Sequence, residues 1–378
     1  MPLFFFSAAM KPFLIYFFSI SLILSWWFLA FSGQLSPSSP PAVLITPSPC
    51  NQLKSPRVVD REKLKKALNG DINLMCALIA EWDVEAESLI SKGIPSIQRL
   101  PRDDIKQVFA LWQSHEEPVC GTYYPQTYLA SGILMALVPE EKILALPSGF
   151  RLQYSLIPKE RTDLIPFDAD PFHLEAIGNT ENITAFISPY SHPNAVLAMQ
   201  QRSIPTVNLG AVQTPEDVKK AILQVGESVG AKKKSLILTQ FIESAVMAMH
   251  NHLASLSNDP PPNVLYLNCR TFFSAPNLST LTGNMLKQLN INQSLAISDS
   301  GDWEIPLEIE DILKINPDCL ILSTPHNEQT LHPPLSELKA FKNQRVFFVD
   351  KNIQETPSQH FLLGYFDLYD ILAEARSG

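Results

Sequence analysis

The chain has no Walker phosphate loop and no His-Glu-x-x-His pair, so phosphoryl transfer on a P-loop and zinc proteolysis have no visible machinery. His250 and His252 stand two apart on one helical stretch, and side chains two apart on a helix point in different directions, which makes a poor metal pair. No enzyme is expected. Cysteine is scarce: five in 378 residues, an odd number with no Cys-x-x-Cys spacing, which signals neither a disulfide framework nor a zinc site. Cys120 and Cys269 fall near the ends of expected strands and read as plain buried thiols. Charge is also thin, 18 % of residues with a net −9. Wholesale phosphate binding is therefore disfavoured, and no nucleic-acid partner is expected.

What is present is apolar patterning. Residues 13–31 are 19 uncharged and mostly apolar residues behind Lys11. That length fits a signal-peptide core cleaved after Ser32 or a membrane-spanning anchor. Cys50 lacks the leucine and small residues of a lipobox. Residues 34–57 are rich in proline and serine and read as an extended tether. Either way the body is exported, to a periplasmic or extracytoplasmic location.

Residues 58–116 read as a small helical extension packed on the first α/β lobe. Leu64, Leu68, Leu74, Leu78 and Ile79 imply two helices around Asn69-Gly70-Asp71, and Asp103 to Ser114 a third. From Val119 the pattern turns to strand, loop and helix. Tyr123 to Thr127 is expected as a loop, Ala130 to Leu134 as helix, Ile143 to Leu146 as a second strand and Pro147 to Arg151 as its exit loop. Thr214-Pro215-Glu216-Asp217 is a helix start with an N-cap, a first-position proline and acids facing the helix dipole. Apolar residues at 238, 242, 245, 246, 249, 253 and 256 then mark one long helix over Ser235–Ser257.

Two stretches share a design. In residues 303–326, Ile309, Ile312, Leu313 and Ile315 make a short amphipathic helix, Asn316-Pro317-Asp318 stops it, and Cys319 to Leu322 is a buried strand. Residues 174–192 repeat the order, with thirteen positions from Glu175 to Ser188 as from Glu310 to Ser323. The repetition implies an α/β chain with two similar lobes: 117–230, and 260–378 beyond the long helix at 231–259. The second lobe would add strands at Val264–Leu267 and Val346–Val349, a helix near Met285 to Leu289 and a closing helix over Phe361–Ala375.

Ligands of open α/β sheets sit outside the carboxyl ends of the strands. The residues at those ends are Tyr123, Tyr124, Phe150, Arg151, Tyr190 and His192 in the first lobe. In the second they are Arg270, Phe272, Phe273, Trp303 and His326. Such aromatics suit flat or greasy ligands, arginine forks suit carboxylates, and Tyr or His can ligate haem iron. Each of these aromatics could instead be core.

Trp303 ahead of Glu310-Asp311-Ile312-Leu313-Lys314-Ile315-Asn316-Pro317-Asp318 and its apolar strand resembles the signature of the class III periplasmic binding proteins. Residues 130–137 resemble the family's first helix, and the likeness extends over about 117 to 375. The resemblance implies two Rossmann-like lobes with parallel-rich sheets joined by a single long helix. It implies a monomer that captures an iron chelate, haem or cobalamin as cargo, with no resident cofactor or metal. It further implies an ABC permease with its ATPase as partner and the membrane reached through the N-terminal segment. The alternative is a membrane-tethered interaction module that has lost transport. Relatives carry a docking acid near the start of each lobe's first helix. Those positions here are Gly132, and Gly283 or Asn284, so docking should be weak and salt-insensitive, with Glu140 and Glu141 as substitutes.

Overall fold

The computed structural model describes residues 43–44, 58–115, 119–153, 156–169, 180, 182–256, 261–269, 272–295, 301–324, 330–331 and 333–377. Val43–Leu44 and Thr330–Leu331 pair antiparallel within a small unit of their own. The main unit holds all the elements named hereafter. Among the described residues no helix is long and apolar enough to cross a membrane; the apolar run at 13–31 and the tether lie outside them.

Among the described residues the main unit opens with three helices, α1 (Arg61–Leu68), α2 (Ile72–Ser91) and α3 (Arg102–Gln113). Asp60 and Asp71 cap the first two by accepting from Lys63 N and Leu74 N, and Asn69-Gly70 makes the turn between them. α2 and α3 pack along the long helix of residues 232–255, and α1 packs against α2 and the closing helix of residues 361–377, rather than on the first lobe alone. Trp82 of α2 stacks obliquely on Phe241 at 5.5 Å. Asn251 grips the 94–101 loop by accepting from Gln98 N and donating to Gln98 O.

Five short strands come next: β1 (Thr122–Pro125), β2 (Ala145–Pro147), β3 (Phe167–Ala169), β4 (Ile183–Ile187) and β5 (Thr206–Asn208). β1 pairs with β4, β4 with β5 and β2 with β3, all parallel. A parallel bridge between Tyr123 and Ile143, with Leu144 N donating to Tyr123 O at 2.8 Å, joins β1 to β2. The order across the sheet is thus β3-β2-β1-β4-β5. From β1 the chain winds one way, then returns to wind the other, so β1 and β4 flank a topological switch point. The expected loop at Tyr123–Pro125 is in fact strand β1. The first helix is α4 (Tyr128–Leu137), capped by Thr127, and α5 (Pro193–Gln201) comes after β4. The helix expected after Glu175 lies outside the described residues.

α6 (Pro215–Ser228) begins with a full capping box between Thr214 and Asp217. It leads into α7 (Lys232–Ser255), whose 24 residues span about 36 Å at ~1.5 Å per residue. Beyond α7 lie β6 (Val264–Cys269), β7 (Phe273–Pro276), α8 (Leu281–Gln288), β8 (Glu304–Leu307), α9 (Ile309–Ile315), β9 (Cys319–Thr324), β10 (Val346–Asp350) and α10 (Phe361–Ser377). The sheet order is β10-β9-β6-β7-β8, with β10, β9 and β6 parallel and β7 antiparallel to both neighbours. Phe186 and Ile321 stand in different sheets. The architecture is a mixed α/β fold with parallel-rich sheets. Its large core runs continuously from the first helices through Phe241 and Met249 of α7 to Phe361 and Phe366 of α10.

Candidate functional site

A cavity of about 370 Å³ opens at the carboxyl ends of the first sheet. Each strand flanking the switch point contributes. After β1 come Gln126, Thr127, Tyr128 and Leu129; after β2, Pro147 and Ser148; at the end of β3, Ala169; after β4, Tyr190 and His192. Val212 adds to one side. Pro357 is the one described lining residue from beyond α7.

Local bonding explains why these side chains stand where they do. Gln126 N donates to Phe186 O at 2.9 Å, which extends the β1–β4 ladder by one rung. Thr127 caps α4 through Ala130 N. Tyr128 donates its hydroxyl to Ser148 O at 3.2 Å and packs edge-on to Phe150 at 5.4 Å, tying the β1 and β2 exits together. The β4 exit is a tight Ser188–Ser191 turn, in which Ser191 N donates to Ser188 O and Ser188 N to Ser191 Oγ. His192 ends that turn and caps α5, its Nδ1 accepting from Asn194 N at 3.3 Å. With Nδ1 held as an acceptor, the neutral ring carries its proton on Nε2. Ligation of a metal through Nε2 would require moving that proton to Nδ1 and losing the cap.

The described lining holds no carboxylate and no lysine or arginine. It offers an amide, hydroxyls and an imidazole among Leu129, Pro147, Ala169, Val212 and Pro357. Apolar walls with a few oriented polar groups are the usual composition of a small-molecule site.

Of the residues expected at the cleft, the structure brings Tyr190 and His192 to the cavity and places others elsewhere. Tyr123 and Tyr124 are each 2 % exposed inside β1. Tyr123 donates to Val229 O at 3.3 Å and to Cys120 O, bolting β1 to the end of α6. Tyr124 belongs to a smaller core on the opposite face. Arg151 is bonded to Asp168 at 2.6 Å and to the carbonyls of Thr162 and Ile165, so its fork holds the chain around β3. Phe272 is exposed just before β7, near the carboxyl end of β6.

Trp303 is 64 % exposed, and its carbonyl accepts from Asn277 N. It lies three residues before Pro306, which faces Ser274, itself opposite Asn268. That puts it roughly 10 Å towards the amino ends of the sheet at ~3.3 Å per residue. Arg270 and His326 lie outside the described residues. Cys120 is exposed rather than buried, and burial pushes the Cys269 thiol up to about 12.

Of the lining residues only Tyr190 and His192 were among the expected set; Tyr128, Val212 and Pro357 are among those missed. Tyr128 could have been found, because it directly succeeds a helix-capping threonine at a strand exit. Gly226-Glu227-Ser228-Val229-Gly230 also carries the letters of a nucleophile elbow. The structure puts Ser228 at the exposed end of α6, donating to Gln224 O at 2.8 Å, where no strand-to-helix turn exists.

Comparison with known proteins bears on the same fold. Residues 186–353 match the family model described as periplasmic binding protein. An uncharacterized ABC transporter substrate-binding lipoprotein, YvrC of Bacillus subtilis (strain 168), is 24 % identical over 181 residues, covering 46 % of this chain and 56 % of that protein. The chain therefore spans little more than half the length of this curated relative. Among solved structures, the periplasmic heme-binding protein RhuT from Roseiflexus sp. RS-1 has a TM-score of 0.54 at 17 % identity, covering 68 % of this chain and 99 % of that one. FhuD2 of Staphylococcus aureus has a TM-score of 0.54 at 13 % identity, with coverage of 68 % and 99 %. Of the two stretches that carry the resemblance, the matched region takes in 303–322 and not 130–137, and the solved structures share the fold.

Proposed function

Starting from a periplasmic binding protein domain over residues 186–353, we propose that this protein is an extracytoplasmic solute receptor. It captures an iron chelate, haem or corrinoid between two Rossmann-like lobes joined by α7 and delivers it to an ABC importer. The observation that carries the reading is the cavity itself. It sits at the switch point of the first sheet, where loops from β1 and β4 diverge, and Pro357 of the second lobe reaches over it. The heme-binding RhuT supports the cargo class by likeness of fold. An uncharged lining with hydroxyl, amide and imidazole groups favours a cargo that presents oxygens to be hydrogen-bonded. The His192 cap favours donation over ligation. The N-terminal apolar segment would keep the receptor at the membrane.

The test is titration of the full chain with ferric desferrioxamine B, ferric protoporphyrin IX and cyanocobalamin, monitored by calorimetry. Saturable one-to-one binding of one of them supports the reading. Absence of binding to all three removes the cargo and leaves the tethered module.

That second reading has its own supporting observation. A Cβ on Gly132 would stand 2.7 Å from the Ser358 side chain, and one on Gly283 would stand 1.9 Å from the Asn277 carbonyl oxygen. Asn284 Nδ2 is spent on the carbonyls of Gln213, Leu278 and Thr280. Glu140 is paired with Arg161. The usual docking acids thus have neither a side chain nor room for one, and the first substitute is engaged. Only Glu141 of the two substitutes is exposed.

A further inference from the structure

The segment linking the last strand to α10 has an unusual character. Thr356, Ser358, Gln359 and His360 are each at most 1 % exposed, although they are polar and belong to a connection between elements. Buried polar groups are kept where they are hydrogen-bonded, and the Nε2 atoms of Gln359 and His360 find their partners far away in the chain. Gln359 Nε2 donates to Gly132 O at 2.7 Å and to Leu68 O at 3.2 Å. One bond reaches α4 of the first lobe, the other the last residue of α1. His360 Nε2 lies 3.3 Å from Asn69 Oδ1. Asn69 is in turn fastened to the first lobe, donating through Nδ2 to Leu156 O at 3.1 Å and accepting from Arg161 Nη1 at 2.6 Å. Ser358 rests on Gly132 so closely that any Cβ there would collide with it.

This network stands directly behind the cavity. Pro357, its second-lobe wall, is held between Thr356 and Ser358. Leu129, on the facing wall, is one helical turn before Gly132 on the same helix. The Gln359–Gly132 bond therefore ties the side chain two residues beyond Pro357 to the backbone of the helix that carries Leu129, and the Leu68 bond ties both to the N-terminal extension. We infer that Gln359 is a positioning residue for the cavity, setting the distance between Pro357 and the start of α4, and that the turn at Leu68–Asn69 is its anchor. The extension then takes part in cargo recognition without touching the cargo. This rests on the reading of the cavity as the cargo site.

Arg61 strengthens the arrangement. Its guanidinium reaches Asp367 of α10 with Nε at 2.8 Å and Nη2 at 3.3 Å, holding α1 against the helix that succeeds the segment. A glutamine with a merely structural role would lower stability when replaced and leave the cavity walls and cargo affinity alone. A positioning role moves both.

The experiment uses the full chain with three substitutions. Gln359→Met keeps the volume and removes both donors. Asn69→Ala loosens the anchor from the side remote from the cavity. Leu78→Ala, a core truncation in α2, serves as a control that lowers stability without touching the segment. Amide hydrogen exchange is measured over residues 126–131, 355–361 and β6, and affinity is measured with the three cargo probes. The expected result for Gln359→Met is exchange faster by about tenfold in both wall segments with β6 unchanged. Affinity should fall by about tenfold, the scale of a wall displaced by less than an ångström. Asn69→Ala should shift the same readouts in the same direction by a smaller factor. Leu78→Ala should shift neither wall exchange nor affinity.

Wall exchange in Gln359→Met and Asn69→Ala that matches the Leu78→Ala control would overturn the inference. If no probe binds the unaltered chain, the cargo reading fails and the exchange comparison still decides whether Gln359 fixes the walls. If Gln359→Met does not fold, Asn69→Ala decides on the same readouts.

Discussion

The two sheets differ in build: the first is parallel throughout, and the second carries the antiparallel β7. In the first, every parallel strand from β1 to β4 contributes to the cavity at its carboxyl end or exit loop. In the second, the described carboxyl ends of β6 and β9 are buried, and their exit loops lie outside the described residues. Asn268, Ser274 and Ser323 form a row across the sheet, each at most 2 % exposed. Asn268 Nδ2 and Ser274 Oγ both donate to Glu304, at 3.1 and 2.8 Å. The switch point of the first sheet has parallel strands on both sides, so successive loops diverge and leave a crevice. The second sheet has its own switch point between the parallel β6 and β9, whose exit loops lie outside the described residues, and on the other side of β6 the antiparallel β7 starts where β6 ends. The second lobe reaches the cavity only through Pro357 among the described residues.

The two lobes also differ in what surrounds the glycine of their first helix, and this gives the largest expected effects. A Cβ on Gly283 would meet a backbone carbonyl at 1.9 Å, whereas one on Gly132 would meet the Ser358 side chain at 2.7 Å. Backbone yields less readily than a side chain. Gly283→Ala should therefore cost more than about 3 kcal/mol and Gly132→Ala about 1–3 kcal/mol, as overpacking costs go. Urea unfolding of both variants measures the order, and a larger loss for Gly132→Ala would break the comparison.

Acid should act next, through the buried segment of the second lobe. Burial, with Lys65 and Arg161 nearby, pushes the His360 imidazole down to about 3 from its ordinary 6.5. The unfolded chain takes up that proton as pH falls through 6.5, and the folded chain does not until about 3. Stability is therefore full above pH 6.5 and lost as pH falls through the window between, by about 1.4 kcal/mol per pH unit for this group. Burial lowers His250 and His252 as well, with the same sign. Unfolding midpoints of His360→Gln and the unaltered chain should converge as pH drops towards 4. Parallel curves would show that His360 does not titrate in this way.

Salt should matter least. Without acids at Gly132 and Gly283, docking to any permease should change by no more than about 1 kcal/mol between low and high salt, because exposed ion pairs chiefly set encounter rate. Binding that collapses with added salt would show that other acids have taken over, with exposed Glu141 the first to replace.

Much of the architecture was legible. The apolar stripe of α7, the capping box at Thr214 and the strands at Cys319 and Val264 arise from local chemistry, and they lie where their patterns put them. The site was legible only in part. Tyr190 and His192 line the cavity as their polar Ser-Pro-Tyr-Ser-His exit after a clear strand suggested. Tyr123 and Tyr124 were misplaced because a Tyr-Tyr-Pro run looks like loop, yet in a strand buried on both faces it packs into two cores. Trp303 was misplaced because its position along the β7–β8 ladder depends on register. Pro357 left no local signal at all. Its role comes from Gln359 meeting Gly132, 227 residues earlier in the chain.

The central claim is that cargo sits at the first-sheet switch point and not along the edge that carries Trp303. Calorimetric titration of Tyr190→Ala and Trp303→Ala, each with whichever of the three probes binds the unaltered chain, tests it directly. Tyr190→Ala should weaken binding by about 1–3 kcal/mol, as loss of one contacting aromatic implies, and Trp303→Ala should leave the affinity unchanged. A loss in Trp303→Ala with full affinity in Tyr190→Ala would contradict the account.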